Sequence, residues 1–313
     1  MHLFDLHCDT LFACAQQNKA LKRNDLHISL EAGSRYKPWF ECFAVWIPDD
    51  VEEYFKGMNP ISLFEKCLAI FNKEAEENPD FIPIRSSEDI LASEGKQGCR
   101  AILTVENGSA AGGTIEGLER LYASGVRMMT LTWNGKNELG EGSLNPNAEG
   151  LTPFGKAAVS RMNELGMIVD VSHLSDRGFY DVAEIAAKPF IASHSNAHKI
   201  APVPRNLTDE QIGVIRNLGG LIGLNFYHSF IKPDSDTVTQ DDLLRHIEHF
   251  MEQGCEKTLA MGSDFDGADM PPFIRGIDYM EELHEALLRR NYSESLVNDI
   301  FCENALRFFQ MMI

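Results

Sequence analysis

Three histidines and a set of carboxylates stand where short apolar runs end. His7 and Asp9 follow Leu3–Leu6, Glu106 follows Ala101–Val105, and His173 follows Met167–Val171. His194 follows Pro189–Ala192, and Asp264 follows Thr258–Gly262. Imidazole and carboxylate together suit zinc and similar first-row ions. Glu106 has two carboxylate oxygens and can bridge two ions, which leaves His7 and Asp9 for one ion and His173 and His194 for the other. Two ions about 3.5–4 Å apart can share a hydroxide and polarise a carbonyl without an activated Ser or Cys. Asp264 would take a proton from that water and hand it to a departing amine. Asp266 is the weaker candidate for this role because it lies farther from the end of its run.

Each residue taken singly has a plainer explanation. Asp9 could cap the turn that follows it, and Glu106 could pair with Arg100 or Arg127. Asp264 or Asp266 could close a Gly-rich turn through Asx geometry. A lone histidine at a strand end is more often hydrogen-bonded than a ligand. Six such residues at the ends of five separate runs are hard to explain by packing. Cys8 lies between His7 and Asp9, and strand alternation points it away from them into the packing.

What could bring these residues together is a parallel barrel. The apolar runs are Leu3–Leu6, Cys42–Ile47, Ala101–Val105, Arg127–Thr132, Met167–Val171, Pro189–Ala192, Leu221–Asn225 and Thr258–Gly262. They alternate with amphipathic stretches, as in an α/β fold, and most are apolar throughout, as in strands covered on both faces. Eight of them predict a (β/α)8 TIM barrel, whose strand C-termini converge on one face.

Helix punctuation agrees. Thr152-Pro153 reads as an N-cap and first-turn proline, with Gly166 as the stop. Thr208 through Gln211 reads as a capping box. A helix is expected over residues 62–77, halted by Asn78-Pro79, and the C-terminal stretch should split into two helices near Asn291-Tyr292-Ser293. Residues 10–39 and Lys136–Leu151 form long connections of the kind that rim a barrel's substrate site. With no repeat or linker, residues 1–313 are expected to form one metal-dependent hydrolase domain.

Composition narrows the classes further. The 313 residues are 44% hydrophobic and carry a formal charge of −19, which argues against a nucleic-acid partner. Seven scattered cysteines without a CxxC pair suggest reduced thiols. The N-terminus has no signal-like region and no stretch has the length of a membrane span, so a cytoplasmic protein off the membrane is expected.

Taken in order, several segments resemble the membrane (renal) dipeptidase family, a branch of the amidohydrolase superfamily. They are Asp5-Leu6-His7-Cys8-Asp9-Thr10, Val105-Glu106-Asn107-Gly108, Gly150 through Gly155, Gly166 through His173, Ser193-His194-Ser195, Arg205-Asn206, Asn225-Phe226-Tyr227, Gly262 through Gly267 and Glu303 through Arg307. The resemblance implies a di-zinc dipeptidase, with His7, Asp9, Glu106, His173 and His194 as metal ligands and Asp264 as acid/base. It implies that Arg205 receives the terminal carboxylate of a dipeptide, a task suited to a guanidinium fork. Without the motif, an ion pair of Arg205 with Asp209 or Glu210 would serve as well. Many members carry a histidine after Thr130-Leu131-Thr132, where this chain has Trp133 and then Asn134. Trp133, Asn134 and Tyr227 are expected at the substrate. Dipeptides with a C-terminal D-residue are among the substrates implied, and a homodimer is the implied assembly. A related binuclear amidohydrolase acting on another amide, lactam or cyclic imide remains the alternative, as does, more remotely, an inactive metal-binding scaffold.

Overall fold

The structure, a computed structural model, describes residues 1–233 and 237–313. Its strands are β1 (Leu3–Cys8), β2 (Trp39–Trp46), β3 (Phe81–Pro83), β4 (Cys99–Glu106), β5 (Val126–Thr130), β6 (Ile168–Asp170), β7 (Ile222–Leu224) and β8 (Leu259–Met261). They run in the order β6-β5-β4-β2-β1-β8-β7, with β3 beside β4, and every pairing is parallel.

Between β6 and β7 lies the segment around Ile191 and Ala192, which bridges Asp170 on one side and Ile222 on the other. Hydrogen bonds from Val171 N to Ile191 O and from Ala192 N to Leu221 O close the ring. The expected strand at Pro189–Ala192 thus contributes only isolated bridges before the chain turns at Ser193. The ring is the expected (β/α)8 barrel. Strand β3 was not legible in the sequence, because three residues ending in proline carry no periodicity.

Other elements follow the local chemistry. A helix over Pro153–Leu165 is capped by Thr152 and stopped by left-handed Gly166, and one over Asp209–Leu218 opens with the Thr208–Gln211 capping box. The helix expected from residue 62 begins at Pro60, because Asn59 and Ser62 form a capping box of their own. The segment 10–39 is not merely a connection, since Thr10–Gln17 is helical and packs Leu11, Phe12 and Cys14 inward. The C-terminal stretch divides into Tyr279–Arg289, Glu294–Asn298 and Asn304–Met312, with a π-helical turn over Asp299–Glu303.

The lower barrel is an apolar plug. Phe4 stacks on Phe40 at 4.9 Å and 9°, and Phe309 of the last helix meets Phe4 at 4.8 Å. Ile102, Met128, Ile168, Ile191 and Ala260 complete this interior cluster. Burying one such phenylalanine contributes roughly 1.5–3 kcal/mol. Asn304 ties the last helix to β8, donating to Glu256 O at 2.9 Å and Leu259 O at 2.8 Å. All seven cysteines are free and buried. No helix among the described residues is long and apolar enough to cross a membrane.

Candidate active site

Above the apolar plug the barrel interior turns polar, and a β-bulge makes the change. Asp5 pairs with Glu41 and Cys8 with Phe43, so β1 uses one residue more than β2 over the same span. The extra residue lets both Leu6 and His7 face inward. Leu6 joins the interior plug, His7 stands above it, and Cys8 returns to the outer core. Asp9 occupies the N-cap position of the Thr10–Gln17 helix, but its side chain makes no cap hydrogen bond. Its Oδ2 instead lies 3.3 Å from His7 Nε2.

Glu106 ends β4 and divides its two oxygens. Oε2 lies 3.4 Å from His7 Nε2, while Oε1 lies 2.8 Å from His173 Nε2 and 3.7 Å from His194 Nε2. Neither arginine once considered for it is involved. Arg100 bonds to Ser93 and to Gly98 O, and Arg127 to Arg85 O and Val126 O. His7, Glu106 and His194 form one group that could hold an ion, and His7, Asp9 and Asp264 form another. All of these side chains are buried.

Hydrogen bonds behind the imidazoles set their tautomers. Ser193 Oγ donates its proton to Asp170 Oδ2 at 2.6 Å, so at 2.7 Å from His194 Nδ1 it can only accept. His194 therefore carries its proton on Nδ1 and presents a lone pair at Nε2. His173 Nδ1 faces Asn134 Oδ1 at 3.1 Å, which gives the same result. The two Nε2 atoms then meet at 3.0 Å, lone pair against lone pair. Burial, reinforced by the charge of Asp9, pushes the Glu106 carboxyl up to about 7, and burial pushes Asp264 up to about 6. Facing lone pairs and crowded buried carboxyls are what a divalent cation relieves, so the donor set fits a metal centre.

The backbone is bent to reach this arrangement. His173, Asp264 and Asp266 are left-handed at φ 67°, 63° and 66°. Such conformations cost on the order of 1–3 kcal/mol each in non-glycine residues and concentrate at functional sites. Asp264 N is held by His7 O at 3.1 Å, and Asp264 Oδ2 accepts from Asn225 Nδ2 at 3.0 Å. Asp266 is spent elsewhere, accepting from Thr10 Oγ1 at 2.6 Å and His27 N at 2.7 Å. Gly267 leaves the space above the acids open: a Cβ there would stand 1.9 Å from Asp9 Oδ2 and 2.6 Å from Asp264 Oδ1.

Around the cluster opens a cavity of about 610 Å³, lined by Trp133, Asn134 and Tyr227 as well as by Trp46, Tyr54 and Phe230. Asn134 thus lines the cavity while also orienting His173. Arg205 makes no ion pair with Asp209 or Glu210. It is buried, donating to His194 O at 3.0 Å and Ser195 Oγ at 3.2 Å, with its guanidinium 5.1 Å from the Phe230 ring centroid. Among the described residues its Nε has no acceptor.

Sequence reasoning gave no role to Asp170, Ser193, Asn225 or Gly267, and did not single out Trp46, Tyr54 or Phe230. Asp170, Ser193, Asn225 and Gly267 all lie in the segments that carry the family resemblance, and Asp170 also stands out as a lone carboxylate inside the apolar run of β6.

Residues 1–312 match the model of the membrane dipeptidase family, peptidase family M19. An uncharacterised protein from the pqqA 5′ region of Klebsiella pneumoniae is 31% identical over 260 residues, which is 80% of this chain and 96% of that protein. An uncharacterised dipeptidase of Schizosaccharomyces pombe is 31% identical over 243 residues, 74% of this chain, and the match spans only 58% of the yeast protein. A crystal structure of a Rhodobacter sphaeroides metallopeptidase, liganded with a phosphinate mimic of the dipeptide L-Ala-D-Ala, superposes with a TM-score of 0.88 at 26% identity, covering 100% of this chain and 99% of that one. With its histidines and carboxylates gathered at one mouth of the barrel and its length matched almost end to end, the chain belongs to the membrane dipeptidase family of metallopeptidases.

Proposed function

We propose that the protein is a binuclear zinc dipeptidase that cleaves the single peptide bond of a dipeptide, L-D dipeptides included. The observation that carries this reading is the division of Glu106, one oxygen toward His7 and the other toward His173 and His194. His7 and Asp9 would hold one ion, His173 and His194 the other, and Glu106 both. The imidazole and carboxylate donors, without thiolate, suit zinc. When bound, two such ions polarise the scissile carbonyl and make hydroxide available near neutral pH.

The remaining chemistry belongs to side chains of the chain. Asp264 faces the same space, anchored by Asn225, with its carboxyl raised by burial toward the range useful for proton transfer. It accepts a proton from the nucleophile and delivers it to the departing amine. Arg205 receives the terminal carboxylate, its fork held in place by His194 O and Ser195 Oγ and its Nε left without a protein acceptor. Tyr227 and Phe230, packed edge to face at 4.7 Å, wall the same end. The inclusion of L-D dipeptides draws on the Rhodobacter sphaeroides enzyme and its L-Ala-D-Ala mimic.

A release assay over L-L and L-D dipeptides, run on zinc-loaded and chelated protein, tests the reading. Metal-dependent turnover abolished by Asp264→Asn is expected. Arg205→Met should raise KM for dipeptides and leave zinc content unchanged. Equal activity on dipeptides and their C-terminal amides would remove Arg205 from its assigned role.

A further inference from the structure

Three aromatic rings on the cavity wall stand apart from the chemistry assigned above. Trp46, Tyr54 and Trp133 all line the cavity. Tyr54 meets Trp46 at 5.2 Å and 75°, and Trp133 meets Trp46 at 4.9 Å and 65°. Rings set so steeply to one another form a corner. Phe12 backs it, 4.7 Å from Trp46 and 5.8 Å from Tyr54.

The barrel order says which part of a substrate reaches this corner. Trp46 ends β2 and Trp133 follows β5, with Glu106 of β4 between them. Around the closed ring, β7 stands opposite β4. Tyr227 follows β7, Phe230 packs against it, and Arg205 lies over Phe230. A dipeptide whose carboxylate is held by Arg205 and whose peptide carbonyl lies over Glu106 therefore points its N-terminal residue at the aromatic corner.

The chain between the two rings of the first wall is acidic. The segment joining Trp46 to Tyr54 carries Asp49, Asp50, Glu52 and Glu53 and no basic residue. Asp49 sits at the seam of the two walls: Asn107 Nδ2 donates to it at 3.4 Å, and a Cβ on Gly135 would stand 2.7 Å from its Oδ2. Among the described residues that line the cavity on this side, none is basic, and Arg205 stands at the opposite end beside Phe230. An apolar side chain would be served by the rings alone. Rings bordered by carboxylates attract a cation, through the negative ring faces and through the local field.

We propose that Trp46, Tyr54 and Trp133, with Asp49 behind them, form a subsite for a cationic side chain, so that dipeptides with N-terminal Lys or Arg are preferred. This rests on the dipeptidase reading above.

The test compares kcat/KM of the zinc-loaded enzyme on Lys-Ala, Arg-Ala, norleucine-Ala and Gln-Ala, each with L- and D-alanine. Norleucine keeps the four-carbon stem of lysine and loses its charge. A preference of about tenfold for Lys over norleucine is expected, decreasing as salt is raised. Tyr54→Leu and Asp49→Asn should each lower that ratio severalfold. Because the ratio is taken within one enzyme, general damage to catalysis cancels. Equal or faster cleavage of norleucine-Ala by the unaltered enzyme, or a ratio indifferent to Tyr54→Leu, overturns the subsite while leaving the dipeptidase intact. Cleavage of no dipeptide overturns both.

Discussion

His173 and His194 bring their Nε2 atoms to 3.0 Å, and each ring turns its Nδ1 toward a neighbouring oxygen that accepts its proton. Two lone pairs so close repel unless a cation shares them. Removing metal should therefore destabilise the protein as well as silence it. Chelation is expected to lower Tm by several degrees, with zinc alone restoring it, as linkage requires of a ligand that binds only the folded state. Calorimetry with and without chelator checks this, and an unchanged Tm would speak against a preformed metal site.

Glu106→Gln removes a charge and one of the two oxygens that face the divided donor sets. Metal content should fall below that of the parent, and kcat should drop by about 10³ or more, since the two proposed ions would lose the ligand assigned to both. Metal analysis beside the dipeptide assay separates lost binding from lost chemistry.

Ser193→Ala leaves His194 in place but removes the acceptor for its Nδ1 proton. Loss of such an outer partner typically costs 10–100-fold in metal affinity or activity. A chelator-competition titration should show weaker zinc binding with unchanged secondary structure. Unchanged affinity would mean that Asp170 and Ser193 serve packing alone.

Gly267→Ala places a methyl group within 1.9 Å of Asp9 Oδ2. Something must move, and the carboxylate at stake is a proposed ligand. Activity is expected to fall at least 100-fold while Tm shifts by only a few degrees, because the residue is exposed and lies at the cavity mouth.

Glu41 is buried beside Asp5, away from the proposed ligands, and burial holds its carboxyl well above the ordinary range, with the charge of Asp5 adding to it. Among the described residues its Oε1 meets no hydrogen-bond donor within normal geometry. A carboxyl raised in the folded state keeps its proton there more tightly than in the unfolded chain. Below the unfolded value of about 4.5 the two states are alike, and stability falls as pH rises above it. Glu41→Gln should therefore stabilise the fold by about 1–3 kcal/mol near pH 8 and by little at pH 4. Denaturant titrations at the two pH values measure the difference.

Much of this was legible in the chain. The eight barrel runs, the Thr152 and Thr208 caps, and the five proposed ligands were found by pattern, because parallel strands are apolar throughout and their polar ends stand out. The helix at Thr10–Gln17 was overlooked: it follows the proposed ligands His7 and Asp9 without a capping side chain, since Asp9 turns to His7 instead. Strand β3 was too short to show periodicity. Nothing in the run Leu3–Asp9 announces the bulge that lets Leu6 and His7 share the barrel interior, because a bulge is defined only against the partner strand.

By itself, then, the sequence determined the kind of fold, the donor types and their order along the chain, all of which depend on local patterning and on residue chemistry. Only the tertiary structure decided how the donors are shared: which oxygen of Glu106 faces which histidine, which nitrogen of His194 carries the proton, and that Arg205 is buried over Phe230 rather than paired on the surface. These are relations between residues tens to hundreds of positions apart, and they come into being only when the barrel closes.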